Sequence, residues 1–233
     1  IEMGVNAPGE ITYLVDIAQP TMAVISTVGA AHLEGLGTIE AIARAKGELF
    51  DGLPENAQAI MPGDIAFPAI VTQNTQAQVM TVGRKGVDDL WCESIRSTST
   101  GVSASVCDGA QTRSLSLSFI GVHNVSNALL ALTVGSLLGV DLETGIAALE
   151  SLSPPALRGE LHALPTGGEV VLDCYNANPQ SVRAAVDAFV TRHDGGVIVL
   201  GDMLELGTES VSAHRELGAW LAETLGPKHH LLG

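Results

Sequence analysis

The stretch Asp173-Cys174-Tyr175-Asn176-Ala177-Asn178-Pro179-Gln180-Ser181 puts an acid, an aromatic and two amides directly behind an apolar run, Val170 to Leu172. A strand that hands such a cluster to the start of a helix delivers it to the carboxyl end of the strand, where open α/β folds bind their ligands. Structure alone would make Asn178-Pro179 a turn and a helix start. That accounts for two residues and leaves the others without a role. Cys174 in the same run reads as a small buried strand-end residue and not as a nucleophile.

Further candidates are single side chains, each with a plain alternative. His32 follows the apolar run Met22 to Ser26 and alone would be a surface or capping group. Lys46 lies in a helical pattern, where a solvated lysine paired with a nearby acid is the ordinary role. Asn124 and Asn127 are three apart and share one helical face, each amide offering both a donor and an acceptor. Helix capping would equally explain Asn124. Arg158 carries the fork of donors that suits a developing phosphoryl charge, or it is a linker residue with its charge in water. Glu2 alone is an exposed terminal carboxylate. The His229-His230 pair carries no metal assignment.

These residues need elements to position them, and the pattern is α/β. A β-type run at Met22–Ser26 precedes helical spacing from Ile39 to Phe50, and a second apolar run, Gln58 to Met61, ends at the Pro62-Gly63 turn. Ser/Thr/Val alternation from Leu90 to Phe119 with an Asp108-Gly109 turn reads as antiparallel hairpin. An amphipathic helix follows from Val122 to Leu138, stopped by Gly139, then a helix from Asp141 to Leu152 with Asp141 as N-cap. Ser153-Pro154-Pro155 marks the boundary between a first unit, 1–153, and a second, 154–233. In the second, strand 169–173, helix 180–192, strand 197–201, helix 210–225 and a strand starting at His230 make a doubly wound, Rossmann-like alternation.

Composition narrows the classes. With 46% hydrophobic and 16% charged residues the chain reads as globular. A formal net charge of -15 argues against a general nucleic-acid surface. No apolar run is long enough for membrane insertion, and no leader suggests export. Three isolated thiols, Cys92, Cys107 and Cys174, fit a reduced, cytoplasmic protein better than a disulfide scaffold. No GxxxxGK[ST] phosphate loop occurs, and the chain opens on Ile1 inside a motif; together these lead us to expect a piece of a longer protein.

Taken in order, the motifs resemble those of the Mur ligase family, in its D-alanyl-D-alanine-adding branch. Glu2-Met3-Gly4-Val5-Asn6-Ala7-Pro8-Gly9-Glu10-Ile11 resembles EMGxNxPGEI, Thr27 to Gly35 resembles TNVGPAHLEG, and Ala43 to Phe50 resembles ARAKGEIF. Gly121 to Ala128 is similar to GxHNxxNxLAA, Asp173 to Ser181 to DxYNANPxS, and Gly201 to His214 to GDMxELGxxSxxxH. Thr27 stands where Asn is usual, Ala30 where Pro is common, and Leu157 where Gly usually precedes the arginine. The resemblance implies a central ATPase-type domain, mainly parallel sheet with helices plus a small antiparallel sheet, followed by a truncated Rossmann-like domain.

It further implies Mg²⁺ ligation by Glu2, His32 and a carbamylated Lys46, and adenine contacts from Asn124 and Asn127. Arg158 would reach the γ-phosphate and Asp173 the nucleotide and metal side, while Tyr175, Asn176 and Asn178 would meet nucleotide and incoming amine. The implied reaction uses ATP and Mg²⁺ to join D-alanyl-D-alanine to UDP-N-acetylmuramoyl-tripeptide in a cytoplasmic monomer. The 233-residue chain by itself is expected to be inactive. The rival readings are a relative with another amine substrate, a folylpolyglutamate-type ligase among them, and a non-catalytic binding paralogue.

Overall fold

The computed structural model describes residues 1–30, 33–83, 85–98 and 100–233. In chain order its elements are α1 (Glu10–Ala18), β1 (Met22–Val24), α2 (Leu33–Leu36), α3 (Ile39–Asp51), β2 (Gln58–Pro62), α4 (Pro68–Val71) and β3 (Gln78–Gly83). Then come β4 (Leu90–Ser97), β5 (Val102–Cys107), β6 (Thr112–Leu117), α5 (His123–Leu137) and α6 (Leu142–Glu150). The chain continues through β7 (Arg158–Ala163), β8 (Glu169–Asp173), α7 (Pro179–Arg192), β9 (Gly196–Val199), α8 (Ser210–Thr224) and β10 (His229–Leu232).

Among the described residues β1 to β6 form one mixed sheet in sequential order. β1, β2, β3 and β4 pair in parallel, and β4, β5 and β6 antiparallel. The antiparallel strands anticipated from the Ser/Thr/Val texture are thus continuous with the parallel ones. Alternation along β2 shows how the sheet is buried on both sides, as parallel strands require. Ala59 and Met61 point into a core shared with Ile11 and Val15 of α1 and Ile42, Ala43 and Phe50 of α3. Ile60 points the other way, into a core with Val106, Leu115, and Val125 and Leu129 of α5.

Local chemistry fixes the helix ends. Thr38 caps α3, its hydroxyl accepting from the Ala41 N–H at 3.1 Å, and Asp141 caps α6 through the Thr144 N–H at 2.9 Å. Gly139, at φ 86, ends α5 in a Schellman motif: the Val140 N–H donates to the Gly135 carbonyl at 2.9 Å and the Gly139 N–H to that of Ser136 at 3.0 Å. α5 is amphipathic in its burial, with a wide inner face: Val125, Ala128, Leu129, Leu130, Leu132 and Thr133 are buried against α6 and the sheet, while Asn127 and Ala131 are exposed.

In the second part, β9 and β10 pair in parallel with α8 between them, as the alternation anticipated, whereas β8, expected in the same doubly wound unit, belongs to a separate two-stranded sheet. β8 pairs antiparallel with β7, a strand that begins at Arg158. Arg158 therefore opens a strand and is not a linker residue. A third core gathers Val186 of α7, Ile198 of β9, Met203, Leu206, and Leu217 and Leu221 of α8. Leu33 of α2 packs against both this core and the one around α1 and α3, so α2 joins the two parts.

Candidate active site

The first motif is organised by carboxylates at a helix start. Glu48 of α3 accepts from the Gly9 N–H at 2.8 Å and from the Thr12 N–H and hydroxyl at 3.1 Å each, satisfying the free amides that open α1. Glu10 bonds back to the Asn6 N–H at 2.6 Å and the Ala7 N–H at 3.1 Å, and these bonds hold its carboxyl below the ordinary range. Glu2 lies just upstream and is exposed.

Lys46, one turn before α3 ends, is half-buried, and its Nζ donates to the Thr27 carbonyl at 2.7 Å. Burial lowers its pKa from the ordinary 10.5, which favours the neutral amine. Among the described residues no carboxylate pairs with it, so the solvated ion-paired lysine is not what this fold holds. His32 lies outside the described residues. Among the described residues no three His, Cys, Asp or Glu side chains are grouped to hold a metal ion.

At the start of α5, Asn124 Nδ2 donates to the Ile120 carbonyl at 2.8 Å, and Asn127 Nδ2 to Asn124 Oδ1 at 3.3 Å. The two amides act as a pair on one face, with Asn127 exposed. His123 stands beside them, its Nε2 3.2 Å from Asn124 Nδ2. Its ring keeps an exposed edge, yet partial burial lowers its pKa while the charge of Asp173 pulls it up. In the sequence His123 lies within the Gly121–Ala128 stretch without a chemical signal of its own beyond its place directly before Asn124.

Asp173 and Arg158 are register partners across β7 and β8. Burial raises the Asp173 carboxyl, opposed by His123, by the Gly159 N–H and by Arg158. The Arg158 guanidinium lies over the Tyr175 ring, 4.0 Å from its centre, and Tyr175 is otherwise 65% exposed. Leu157 has a left-handed backbone, φ 62, and its carbonyl accepts from the Cys174 N–H at 3.0 Å and the Tyr175 N–H at 3.3 Å. The glycine usual at this position in the resemblance thus answers a conformation, which Leu157 adopts at a steric cost. Cys174 is exposed, which corrects the buried strand-end reading: its side chain leaves the strand where β8 ends.

Asn178 caps α7. Its Oδ1 accepts from the Gln180 N–H at 3.1 Å and the Ser181 N–H at 2.9 Å, and Ser181 Oγ returns a bond to the Asn178 N–H at 3.0 Å. Asn176 Oδ1 bonds the Ala177 N–H at 2.8 Å. The last motif is fastened by its histidine: His214 Nε2 accepts from the Met203 N–H at 3.1 Å, and Nδ1 lies 2.8 Å from the Ser210 carbonyl. Together these bonds set the tautomer with the proton on Nδ1.

The two parts meet where these motifs are. The Glu34 N–H donates to the Glu205 carbonyl at 3.0 Å, and Gly207, at φ 54, brings its backbone against Glu34. Gly29 lies under the end of the Gln180 side chain, and Gly35 presses on the Asn6 backbone carbonyl so closely that it has no room for a side chain. His123 senses Asp173, and Gly159 abuts Ile120. Thus the fold brings the segment before α1, the segment after β1, Lys46, the start of α5, the end of β8 and the 201–207 loop to one region.

Comparison with known proteins gives the family of both parts. The family described as Mur ligase middle domain matches residues 1–135, and the one described as Mur ligase, glutamate ligase domain, matches 158–226. The chain belongs to the Mur ligase family.

Within the family it is MurF-like. UDP-N-acetylmuramoyl-tripeptide--D-alanyl-D-alanine ligase from Escherichia coli (strain K12) is 34% identical over 224 residues, covering 94% of this chain and 49% of that protein. The enzyme of the same name from Bacillus subtilis (strain 168) is 33% identical over 221 residues, covering 94% and 47%. Among solved structures, MurF from Acinetobacter baumannii superposes with TM-score 0.91 at 33% identity, covering 99% of this chain and 50% of that one. The MurF ligase from Thermotoga maritima in complex with ADP gives 0.84 at 28% identity, covering 100% and 57%. The chain spans about half the length of the curated relatives it matches.

Proposed function

We propose that the protein to which this chain belongs joins D-alanyl-D-alanine to UDP-N-acetylmuramoyl-tripeptide at the expense of ATP, in the cytoplasm and as a monomer. Residues 1–153 act as the central ATP-binding domain and 154–233 as the C-terminal ligase domain. What supports this reading is the meeting of the Asp173–Ser181 and 201–207 stretches with the segment whose Thr27 carbonyl receives Lys46, in a chain that is MurF-like along both parts.

The reaction proceeds in two steps. The free carboxylate of the tripeptide attacks the terminal phosphorus of ATP, forming an acyl phosphate and releasing ADP. The dipeptide amine then adds to the acyl carbon, and inorganic phosphate leaves as the amide forms. Neither step needs a covalent bond to the protein, so positioning and charge stabilisation carry the catalysis. Arg158, held over Tyr175, offers its guanidinium to the transferring phosphoryl group. Asn124 and Asn127 present paired amides to the adenine edge, and Asp173 with Tyr175, Asn176 and Asn178 lines the approach of nucleotide and amine.

The donor set fits Mg²⁺. A hard cation takes oxygen ligands, Glu2 is an exposed carboxylate, and a half-buried lysine pushed toward its neutral form is the species that takes up CO₂ to become a carbamate. Glu2, His32 and carbamylated Lys46 would hold the ion, which supplies charge neutralisation between the anionic groups.

Phosphate release by the full-length protein tests this reading. With ATP, Mg²⁺ and UDP-N-acetylmuramoyl-tripeptide, release that depends on added D-alanyl-D-alanine is expected. Release without the dipeptide, or none from folded protein with any amine, would contradict it. The 233-residue chain alone is expected to release none, and ligation by it would overturn that part.

A further inference from the structure

Gln180, at the first turn of α7, is exposed, and an exposed glutamine there ordinarily needs no partner. Here its side chain crosses to the other part of the molecule. A methyl group built on Gly29 would land on the Gln180 carboxamide oxygen. The Gly29 backbone is not in the left-handed region, so its own conformation does not demand glycine. What a side chain there would meet is the end of Gln180. Gln180 starts from a fixed base, because its N–H is bonded by the Asn178 cap.

Two residues before Gly29, the Thr27 carbonyl accepts the Lys46 ammonium at 2.7 Å. We infer that Gln180 is a positioning residue: its carboxamide, laid over Gly29, holds the segment after β1 in the place where the Thr27 carbonyl meets Lys46. The inference rests on the ligase reading only in giving Lys46 a task. Other contacts between the parts are independent of Gln180, among them the Glu34 N–H to the Glu205 carbonyl with Gly207 packed on Glu34, Leu33 in two cores, and Gly159 against Ile120. Removing the carboxamide therefore frees the segment without undocking the two parts.

Gln180→Ala removes the contact from one side, and Gly29→Ala removes it from the other by expelling the flexible side chain. The chain's three lysines provide the readout. The rate of acetylation of Lys46 is measured by mass spectrometry at one pH, with exposed Lys85 and Lys228 as internal references. Each single substitution is expected to speed Lys46 acetylation by about threefold or more, and the double substitution to add nothing further, as residues acting through one contact behave. The urea midpoint stays in place.

An unchanged Lys46 rate in Gln180→Ala would overturn the inference, as would multiplying effects in the double variant. A rise shared by all three lysines would reflect general loosening and overturn it too. No ATP or amine is involved, so a chain that never ligates can pass this test and a working ligase can fail it.

Discussion

At Leu157 a leucine side chain sits on a left-handed backbone, φ 62, while its carbonyl ties down the Cys174 and Tyr175 amides. That conformation costs an L-residue about 1–2 kcal/mol, against roughly 0.5–1 kcal/mol for the chain entropy of glycine. Leu157→Gly should therefore raise the stability by up to ~1 kcal/mol, read as a higher urea midpoint. A lower midpoint would mean that the half-exposed leucine packs more usefully than its backbone suffers. Lys46 gives a prediction in pH. Its folded pKa is lowered by burial, so between the folded pKa and the ordinary 10.5 the unfolded chain binds the extra proton. Stability from this group thus rises with pH through that window and is lost as pH falls through the folded value. Lys46→Met should flatten this rise in midpoints measured up to pH 10.5. Equal slopes in both proteins would show that Lys46 is not desolvated.

Among the elements, α7 depends on its cap. Asn178→Ala removes bonds to two amides and should cost about 1 kcal/mol, seen as a lower midpoint, whereas an unchanged midpoint would show the capping box idle. Elements with their own local signals were legible in the sequence. α3 and α6 carry Thr38 and Asp141 at their starts, α5 stops at Gly139, and the β5–β6 turn is held by Asp108, whose carboxylate accepts the Ala110 and Gln111 N–H groups. β3 and β7 were not legible. β3 is a short run, Gln78–Gly83, whose parallel partner β2 lies across a crossover, and β7 is half-exposed and specified by pairing with β8. The site shows the same division. Lys46, Asn124 and Asp173 could be singled out as candidates in sequence, but the Arg158–Tyr175 stack and the Gln180–Gly29 contact exist only once distant segments are packed.

For the molecule as a whole, function is a matter of bringing two parts together. α2 contributes Leu33 to two cores, and the motifs on either side of the join are individually modest polar loops. Assembled, they offer a partly desolvated lysine, a stacked arginine and paired amides, in a chain whose net charge of -15 would otherwise repel phosphates. A ligase that works by positioning should be strict about its amine, because the same walls that orient one nucleophile misplace another. The most direct measurement is the mass of the product made by the full-length protein. It would be given ATP, Mg²⁺, UDP-N-acetylmuramoyl-tripeptide and an equimolar mixture of D-alanyl-D-alanine with single amino acids. A single product heavier by one D-alanyl-D-alanine less one water is predicted; a product carrying any other amine, or none from folded protein, would contradict the account.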